Sequence, residues 1–423
     1  MNRPLGTSDI FGNEARIWQY IEGKIRSICE NFAVSEIRTP VFEYAELFEK
    51  GTGETTDIVQ KEMYTFYDKG GRKYALRPEG TPPVVRAYLQ NSLYADAQPS
   101  KFYYIVPNFR AERPQKGRYR QFYQFGAEYF GSYSAFADVE MISIAYTVLT
   151  ELGVNNFEIK INSLGCDDCR KAYNKVLNGF LSENIEKLCD LCRERFIKNP
   201  LRVLDCKNKE CQNVLVDAPL ISDTLETDCI EHFAQVIRGL DNIGIKYVVD
   251  KSLVRGLDYY TRTVFEFFST DLGAQDAILG GGRYDNLIES FKGAKTGAVG
   301  FGMGIERLIL IMKEQNLIPN PDIYPEIFIG CMGDDAVIHA QWLVFNLRKQ
   351  GISAVMDLTE SRSLKSQLKY ANKIGAKYSL VIGDDELTKN SGKLRNMADG
   401  KEIEIALDNL PHTFKEILLN DLQ

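Results

Sequence analysis

Apolar side chains near the start of the chain recur at the spacing of an amphipathic helix. They follow one another at steps of four, four, three and four residues, which predicts a helix over residues 13–33. The recurring positions are Ile17, Ile21, Ile25, Ile28 and Phe32. The next apolar runs are short and predict strands at 37–42, 61–67 and 72–77. Pro40 lies inside the first run and favours an edge or interface position.

Between residues 101 and 131 the apolar positions become aromatic-rich and alternate, which is typical of strands. Two such runs, 102–110 and 119–130, flank a polar connector that contains Pro114 and Gly117. This order predicts an antiparallel hairpin with a long loop. Helices are predicted on either side of it, from Pro82 and over 136–151.

The remaining pattern divides the chain into parts. A strand at 157–162 precedes a mostly helical stretch, 165–242, and strand character returns at 247–249 and over 253–310. Three prolines between 319 and 325 predict a linker. We therefore predict three parts, which are a first domain over 1–320 with its core at 1–164 and 243–320, an insertion at 165–242, and a C-terminal domain at 325–423.

Beyond the linker, strands and helices alternate. The predicted elements are strands at 326–332, 352–356 and 377–382, with helices at 335–350 and 361–374 between them. A βαβαβ order of this kind is typical of a small α/β domain with a largely parallel sheet.

Composition narrows the class of protein without defining it. The chain has 423 residues, of which 44% are hydrophobic and 26% charged, as in ordinary soluble domains. No apolar run approaches the ~18 residues of a membrane span, and no secretory leader is recognisable, so we expect a cytoplasmic protein. A net charge of −7 argues against a protein that coats nucleic acid, although a local basic patch is compatible with it.

One such patch lies on the hairpin. Residues 110–120 hold five positive side chains and one negative one, whereas the whole chain is acidic. Arginine presents a fixed fork of donors that matches phosphate, so the patch favours an anion site. The alternative is an ordinary solvated loop.

The strand that follows supports a ligand site. Side chains alternate along a strand, so one face carries an arginine, an aromatic ring, an amide, a glycine and a carboxylate. These residues are Arg120, Phe122, Gln124, Gly126 and Glu128. A ring for stacking, a glycine for close approach and polar groups for hydrogen bonds suit the floor of a substrate site. The alternative is an exposed polar sheet face.

Three further motifs are weak when each is taken alone. Residues 253–260 combine a basic residue, a glycine and two tyrosines, and residues 279–285 contain three consecutive glycines. Those glycines permit backbone amides to face a ligand, or simply a tight bend. Residues 297–308 place alternating glycines before a helix that carries Arg307 in its first turn, where an anion is favoured.

Together these motifs resemble the class II aminoacyl-tRNA synthetases and, among them, the histidyl-tRNA synthetase family of bacterial type. Phe109 to Glu112, with Arg118 and Phe122, resembles the second class motif, and Gly302 to Arg307 resembles the third. Pro40 resembles the proline of the first motif, which builds a dimer interface. The resemblance extends over nearly the whole chain, through 253–260, 280–285, 76–81 and the N-terminal Gly6-Thr7-x-Asp9.

The resemblance implies an α/β protein with an α+β catalytic core. An antiparallel sheet flanked by helices would carry the active site, the insertion would be mostly helical, and a βαβ-type domain would bind the anticodon. It implies ATP-dependent attachment of L-histidine to tRNA(His) through histidyl-adenylate, with release of AMP and diphosphate. Mg²⁺ would accompany ATP, no organic cofactor would be tightly bound, and the enzyme would be a homodimer with no membrane contact.

The resemblance also assigns roles to residues. The expected catalytic residues are Arg110, Arg255 and Arg307. The expected ATP-binding residues are Arg110, Glu112, Arg118, Phe122 and Arg307. The expected histidine-binding residues are Glu79, Thr81, Gln124, Glu128, Tyr260 and Tyr284. Neutral imidazole has one donor and one acceptor, which would suit Glu128 and Tyr260, with Tyr284 closing the pocket. No metal ligand is assigned to the active site.

A non-catalytic regulatory paralogue of histidine biosynthesis, built on the same fold, is the alternative function. Such a protein typically lacks the C-terminal domain and several of the motif arginines, which this chain retains. A nucleotide-binding structural protein would leave the hairpin unexplained.

The C-terminal domain has a local basic pattern despite a slightly acidic balance. Basic residues spaced three, four, four and four apart begin as one helical stripe, with no acidic residue between 361 and 383. They are Arg362, Lys365, Lys369, Lys373 and Lys377. A solvated helix face is the alternative to a tRNA-binding surface.

Seven of the nine cysteines lie in the insertion. Two Cys-x2-Cys pairs, beginning at Cys166 and Cys189, are separated by 19 residues, which is a spacing typical of a zinc ribbon. Cys206 and Cys211 are further candidates. The alternative is a set of reduced, partly buried thiols that pack as small apolar groups.

Overall fold

The computed structural model divides the chain into two compact units, Met1–Pro319 and Asn320–Gln423. The described residues are 1–206, 208–269, 271, 277–319, 325–359 and 362–421. Most of the predicted linker lies outside them, as does the first residue of the helix predicted at 361–374. None of the described helices is long and apolar enough to cross a membrane.

Sixteen strands are described, of which the first eleven belong to the first unit. They are β1 Ser35–Glu36, β2 Phe42–Tyr44, β3 Thr65–Tyr67, β4 Lys73–Leu76, β5 Ser100–Phe109, β6 Gln121–Phe130, β7 Phe157–Ser163, β8 Val248–Val249, β9 Thr261–Ser269, β10 Ala277–Arg283, β11 Ala298–Gly304, β12 Ile327–Cys331, β13 Ala354–Met356, β14 Tyr378–Ile382, β15 Ser391–Asn396 and β16 Glu402–Ala406.

Fourteen α-helices are described, of which the first ten belong to the first unit. They are α1 Gly12–Asn31, α2 Ala45–Thr52, α3 Thr81–Gln90, α4 Ala135–Glu151, α5 Asp167–Glu183, α6 Asp190–Lys198, α7 Lys209–Leu215, α8 Thr227–Asn242, α9 Leu287–Ser290, α10 Ile305–Glu314, α11 Asp334–Lys349, α12 Leu364–Lys373, α13 Asp384–Lys389 and α14 Leu410–Asp421.

An eight-stranded sheet organises the first unit, in the order β1-β5-β6-β11-β10-β9-β7-β8. Its six central strands pair antiparallel, and the short strands at the two edges pair parallel. The predicted hairpin is β5–β6, with Phe109 opposite Gln121 at its loop end. The antiparallel sheet that the sequence predicts for the core of the first domain is therefore confirmed.

The two faces of this sheet differ because side chains alternate along each strand. Phe125, Ala127 and Tyr129 of β6 pack in the main core together with residues of α1, α4 and α10. The opposite face carries Gln124 and Glu128, as the alternation predicts, and packs in part against α3 and the α5–α7 segment. Because the apolar residues of β6 are held in the core on one face, the polar residues that alternate with them must lie on the other face.

Two of the predicted short strands are shifted. The run at 37–42 does not form one strand, because β1 ends at Glu36 and β2 begins at Phe42. The carbonyl oxygens of Thr39 and Pro40 accept from Nη1 of Arg77, at 2.9 and 3.2 Å, instead of joining a ladder. The run at 61–67 starts as a π-helical turn, so β3 begins only at Thr65. Strands β2, β4 and β3 form a separate antiparallel sheet.

The second unit is built as the alternating pattern predicts. Its sheet has the order β13-β12-β14-β15-β16, in which the first three strands are parallel and the last two are antiparallel. Helices α11 and α12 connect the parallel strands. An apolar core that includes Ile329, Leu343 and Leu380 joins the sheet to α11.

Candidate active site

A cavity of about 670 Å³ opens on the polar face of the large sheet. Its walls come from β5, β6, β9, β10 and β11, from the turn before α3, from residues 250–260 and from the α6–α7 segment. Ten of the twelve site residues predicted from the sequence line it. They are Glu79, Thr81, Arg110, Glu112, Arg118, Phe122, Gln124, Arg255, Tyr260 and Arg307.

Arg110 follows β5 and is held over an aromatic ring. Its Nε donates to the carbonyl oxygen of Pro78 at 2.9 Å, and its guanidinium carbon lies 5.3 Å from the ring centre of Phe122. The backbone of Arg110 also donates to that of Arg120, which closes the hairpin. The cation and the stacking surface are therefore positioned together before any ligand binds.

Two more arginines meet at the hairpin loop. Arg118 pairs with Glu112 at 3.0 Å. Arg307, from the first turn of α10, donates to the carbonyl oxygens of Gly117 at 3.1 Å and Ala277 at 2.5 Å. Burial lowers the pKa of Arg307 from its ordinary value, and the nearby positive charge of Arg118 lowers it further. Cations held this close favour a bound polyanion, which relieves their mutual repulsion.

Arg255 is a further arginine of the cavity wall. Its guanidinium pairs with Glu266 at 2.9 Å and lies 5.6 Å from the ring centre of Tyr260. Burial disfavours the charged form, but Glu266 outweighs it and the pKa of Arg255 is raised above its ordinary value. The buried Nε of Arg255 has no hydrogen-bond partner among the described residues. A buried donor that has no acceptor and belongs to a residue of the cavity wall is a candidate ligand contact.

Glu128 lies beneath the cavity floor, fully buried. Its carboxylate accepts hydroxyl hydrogen bonds from Thr81 at 2.7 Å, from Tyr104 at 3.0 Å and from Tyr284. Burial raises the pKa of Glu128 to about 8, although the three hydroxyls oppose the shift. Thr81 and Tyr104 line the cavity, whereas Glu128 and Tyr284 do not. The last two expected histidine contacts therefore stand one layer behind the wall.

Glu79 forms a second buried carboxylate at the same end of the cavity. It accepts from the hydroxyl of Tyr259 at 3.0 Å and from that of Thr52. Burial raises its pKa from the ordinary value, and Arg110 acts in the opposite direction. The cavity thus has a cationic rim and a floor built from carboxylates and hydroxyls.

Glycines of β10 and β11 make room for these side chains. A Cβ atom at Gly280 would overlap the guanidinium of Arg255, one at Gly300 the carboxylate of Glu128, and one at Gly302 the amide of Gln124. Residues 279–283 lie in β10, which pairs with β11 and β9 and has a register shift between Gly282 and Arg283. Neither reading of these glycines offered by the sequence, a tight bend or amides that face a ligand, describes this strand.

A buried ionic network was not found from the sequence. Arg283 is fully buried and pairs with Asp138 at 2.7 Å and with Asp285 at 3.0 Å. Asp138 also accepts from Thr263 at 2.7 Å and lies 2.6 Å from Nε2 of His232. Two of its members, Arg283 and Asp285, lie in the 279–285 motif, but nothing in the sequence pointed to Asp138 or His232 as their partners. The network joins α4, α8, β9 and β10, so it stabilises the fold behind the site.

Glu306, the glutamate of the third motif, also has a structural role. Its carboxylate accepts the backbone N–H of Tyr123 at 2.9 and 3.0 Å, which ties the start of α10 to β6. Burial raises its pKa to about 7. The second and third motifs are thereby joined through one side chain.

An antiparallel sheet with four motif arginines above a buried polar floor defines the catalytic domain of a class II aminoacyl-tRNA synthetase. Comparisons with known proteins agree. A family model described as histidyl-tRNA synthetase matches residues 6–308, and one described as anticodon binding domain matches 326–417. The chain therefore belongs to the histidyl-tRNA synthetase family.

The similarity to known relatives extends over nearly the full length of the chain. The chain is 52% identical over 415 residues to the histidine–tRNA ligase of Thermoanaerobacter sp. (strain X514), covering 98% of this chain and 99% of that one. It is 51% identical over 405 residues to the ligase of Clostridium perfringens, covering 95% and 96%. The apo structure of Staphylococcus aureus histidyl-tRNA synthetase matches with a TM-score of 0.84 and 36% identity, covering 98% and 100%.

The protein is a histidine–tRNA ligase that uses ATP, and the regulatory alternative is wrong. Full-length similarity to ligases and the matched anticodon-binding domain exclude a regulatory paralogue.

Proposed function

We propose that histidine and ATP react in the cavity to form histidyl-adenylate, which then acylates tRNA(His). A carboxylate oxygen of histidine attacks the α-phosphorus of ATP, the bond to the bridging oxygen breaks, and diphosphate leaves. A ribose hydroxyl of the tRNA then attacks the acyl carbon, and AMP leaves. Neither step requires a protein nucleophile. The observation that carries the proposal is the convergence of Arg110, Arg118, Arg255 and Arg307 on one cavity.

The rim would bind ATP in a bent conformation. Phe122 would stack against adenine, and Arg110 would contact the α-phosphate from its position over the same ring. Arg118 and Arg307, which meet through Gly117, would hold the γ-phosphate end. Glu112, already paired with Arg118, would keep that arginine oriented.

Arg255 would stabilise the charge that develops at the α-phosphorus. Its ion pair with Glu266 fixes the guanidinium in the resting protein, so little reorganisation is needed during the reaction. Preorganised charges of this kind account for a large share of enzymatic rate enhancement.

The floor would select histidine. Tyr260 would contact one imidazole nitrogen, and Glu128 would accept from the other once its Thr81 or Tyr104 hydroxyl moves aside. Tyr284 would hold Glu128 from behind. Glu79, Thr81 and Gln124 would lie near the amino and carboxylate groups of the substrate.

Mg²⁺ would enter with ATP. It prefers oxygen ligands and usually retains phosphate oxygens and water. Glu112 and Glu266 line the cavity and offer such oxygens beside the arginines, so the residues present fit the ion. It would neutralise part of the phosphate charge.

We also propose the domain roles expected from the sequence. Residues 1–320 would form the catalytic domain, with 165–242 as its helical insertion, and 325–423 would bind the anticodon. A homodimer in the cytoplasm is the assembly and location that fit the family.

The proposed dimer interface is the aromatic face of the small β2-β4-β3 sheet. Phe42 and Phe66 are 50% and 41% exposed. The ring centre of Phe42 lies 5.6 Å from that of Tyr74 in an edge-on contact, and that of Phe66 lies 5.8 Å from it in a stacked one. An exposed group of aromatic rings is unfavourable in a monomer and is typical of an interface. Strand β2 of this small sheet begins just after Pro40 of the first motif.

We predict that the double variant Phe42→Glu/Phe66→Glu dissociates the dimer at micromolar concentration, because like charges then oppose each other across the interface. Sedimentation velocity should report one-chain mass. Ile197→Glu is the matched control, since Ile197 is 82% exposed and lies outside this face. A two-chain mass for the double variant would reject this interface.

The proposed anticodon contact is the lysine stripe of α12. Lys365, Lys369 and Lys373 are exposed on this helix. Arg362 is withdrawn from the stripe, because it pairs with Asp357 at 3.5 Å and lies 4.3 Å from the ring centre of Tyr370. The stripe available to phosphate is therefore lysine alone.

We predict that Lys369→Glu/Lys373→Glu weakens tRNA binding at low salt. Loss of two phosphate contacts should reduce the slope of log K against log salt concentration by about 1.5. Fluorescence titration with tRNA(His) measures both quantities. Lys393→Glu/Lys401→Glu applies the same charge change elsewhere on this unit. Equal slopes for the two double variants would identify the stripe as an ordinary solvated face.

A further inference from the structure

Four cysteines of the α6–α7 region form a tight group. Cys189 precedes α6, Cys192 lies in its first turn, Cys206 precedes α7, and Cys211 lies in its first turn. Their sulfur atoms all lie within 4.8 Å of one another. Three of the four side chains are buried, and none of the nine cysteines of the chain is in a disulfide.

The geometry of this group matches a tetrahedral metal site. A zinc ion bound by four thiolates at ~2.3 Å separates the sulfur atoms by about 3.8 Å. The sulfur atoms of Cys189 and Cys206 are 3.9 Å apart. Backbone N–H groups donate to the sulfurs, from Cys189 to Cys211 at 3.2 Å and from Asn208 to Cys206 at 3.5 Å. Such outer contacts stabilise thiolate ligands.

The pairing differs from the zinc ribbon that the sequence spacing suggested. A ribbon would join the pairs that begin at Cys166 and Cys189, but the 17-residue helix α5 lies between them. At 1.5 Å per residue this helix is about 25 Å long and separates the pairs. Cys189 and Cys192 instead meet Cys206 and Cys211, whereas Cys166 and Cys169 meet Cys229.

We propose that Cys189, Cys192, Cys206 and Cys211 bind one structural zinc ion. Four thiolates complete the tetrahedral coordination of zinc, so no position is left for a water or a substrate, and the site is structural. Each thiol gives up its proton on binding. The sequence pattern is two short pairs, Cys-x2-Cys and Cys-x4-Cys, which are joined by 13 residues.

The ion would stabilise one wall of the active-site cavity. Arg202, between the two cysteine pairs, donates to the carbonyl oxygen of Gly256 at 2.9 Å and pairs with Asp57 at 2.9 Å. Asn199 donates to Asp258 at 2.7 Å. These contacts join the segment to the 253–260 motif that carries Arg255. Zinc would therefore order the part of the insertion that borders the substrates.

Metal analysis tests the proposal. Protein is purified without chelators or metal-affinity columns, and zinc is measured by mass spectrometry in wild type, Cys206→Ser/Cys211→Ser and Cys166→Ser/Cys169→Ser. Cys331→Ser, in the second unit, is the matched control. We expect the first double variant to lose about one zinc per chain and the control to lose none. Less than about a tenth of a zinc in wild type, or a loss that follows only Cys166 and Cys169, overturns the proposal.

A cobalt titration of wild type keeps the test decisive if the double variant fails to fold. Zinc-free protein should bind one Co²⁺ and develop the strong visible and sulfur-to-cobalt bands of a tetrahedral thiolate site, and added Zn²⁺ should abolish them. Only the weak spectrum of hydrated cobalt would overturn the assignment. Because no substrate enters either measurement, the outcome is independent of the proposed catalytic roles.

Discussion

Arg255→Gln should lower kcat for histidine-dependent ATP–pyrophosphate exchange by about 10²- to 10³-fold, the loss found when one preorganised donor is removed from a developing negative charge. The guanidinium is already paired with Glu266 at 2.9 Å, and its buried Nε has no acceptor among the described residues. Because the charge develops mainly in the transition state, KM for ATP should change far less than kcat.

The control for this variant is Arg113→Gln. Arg113 belongs to the same basic hairpin but is exposed and does not line the cavity, so its loss tests the effect of net charge alone. We expect near wild-type exchange from it. An Arg255→Gln enzyme within tenfold of wild type would remove Arg255 from the catalytic residues.

Glu128→Ala should abolish histidine activation while the fold is retained. The carboxylate is the acceptor at the centre of three hydroxyls, and its loss would leave Thr81, Tyr104 and Tyr284 without their shared partner. Sites that recognise a polar group through buried partners lose about 10⁴-fold when one partner is missing. Exchange kinetics should show this loss in kcat/KM for histidine, with KM for ATP little changed.

Glu140→Ala is the matched control for this variant, because Glu140 is half-buried and pairs with Lys101 at 2.6 Å in another part of the first unit. It should keep wild-type exchange. Circular dichroism of both variants separates misfolding from lost recognition. Normal histidine kinetics in Glu128→Ala would end its assignment as the imidazole acceptor.

Glu128→Gln tests the buried carboxylate through pH. The folded pKa is about 8, above the ordinary carboxyl value, so the folded protein holds a proton that the unfolded chain has lost. Stability that depends on this group therefore falls as pH rises from about 5 to 8, by at most about 1.4 kcal/mol per pH unit. Relative to Glu128→Gln, wild type should lose stability across this range in denaturant melts. A constant difference would contradict burial of the carboxyl group.

Local pattern predicted the hairpin and the polar face of β6 because strand alternation requires no partner. Arg110, Arg118, Phe122 and Gln124 all line the cavity, as the motifs indicated. Their roles were taken from family resemblance and stay proposals.

The sequence pattern could not predict which distant segments of the chain pair with each other. Gly300 is small because strand pairing places it opposite Glu128, and that register is set by the whole sheet. Arg283 and Asp138 are 145 residues apart, so nothing local joins them. Which cysteines lie together in each group likewise depends on the positions of the two ends of α5. In each case tertiary packing selects the partner.

The most direct test of the account is a crystal structure with a non-hydrolysable histidyl-adenylate analogue. We predict adenine against Phe122, the phosphate surrogate beside Arg110 and Arg255, and the imidazole within hydrogen-bond distance of Glu128 and Tyr260. An analogue bound outside this cavity, or an imidazole that contacts neither residue, would contradict the proposed site.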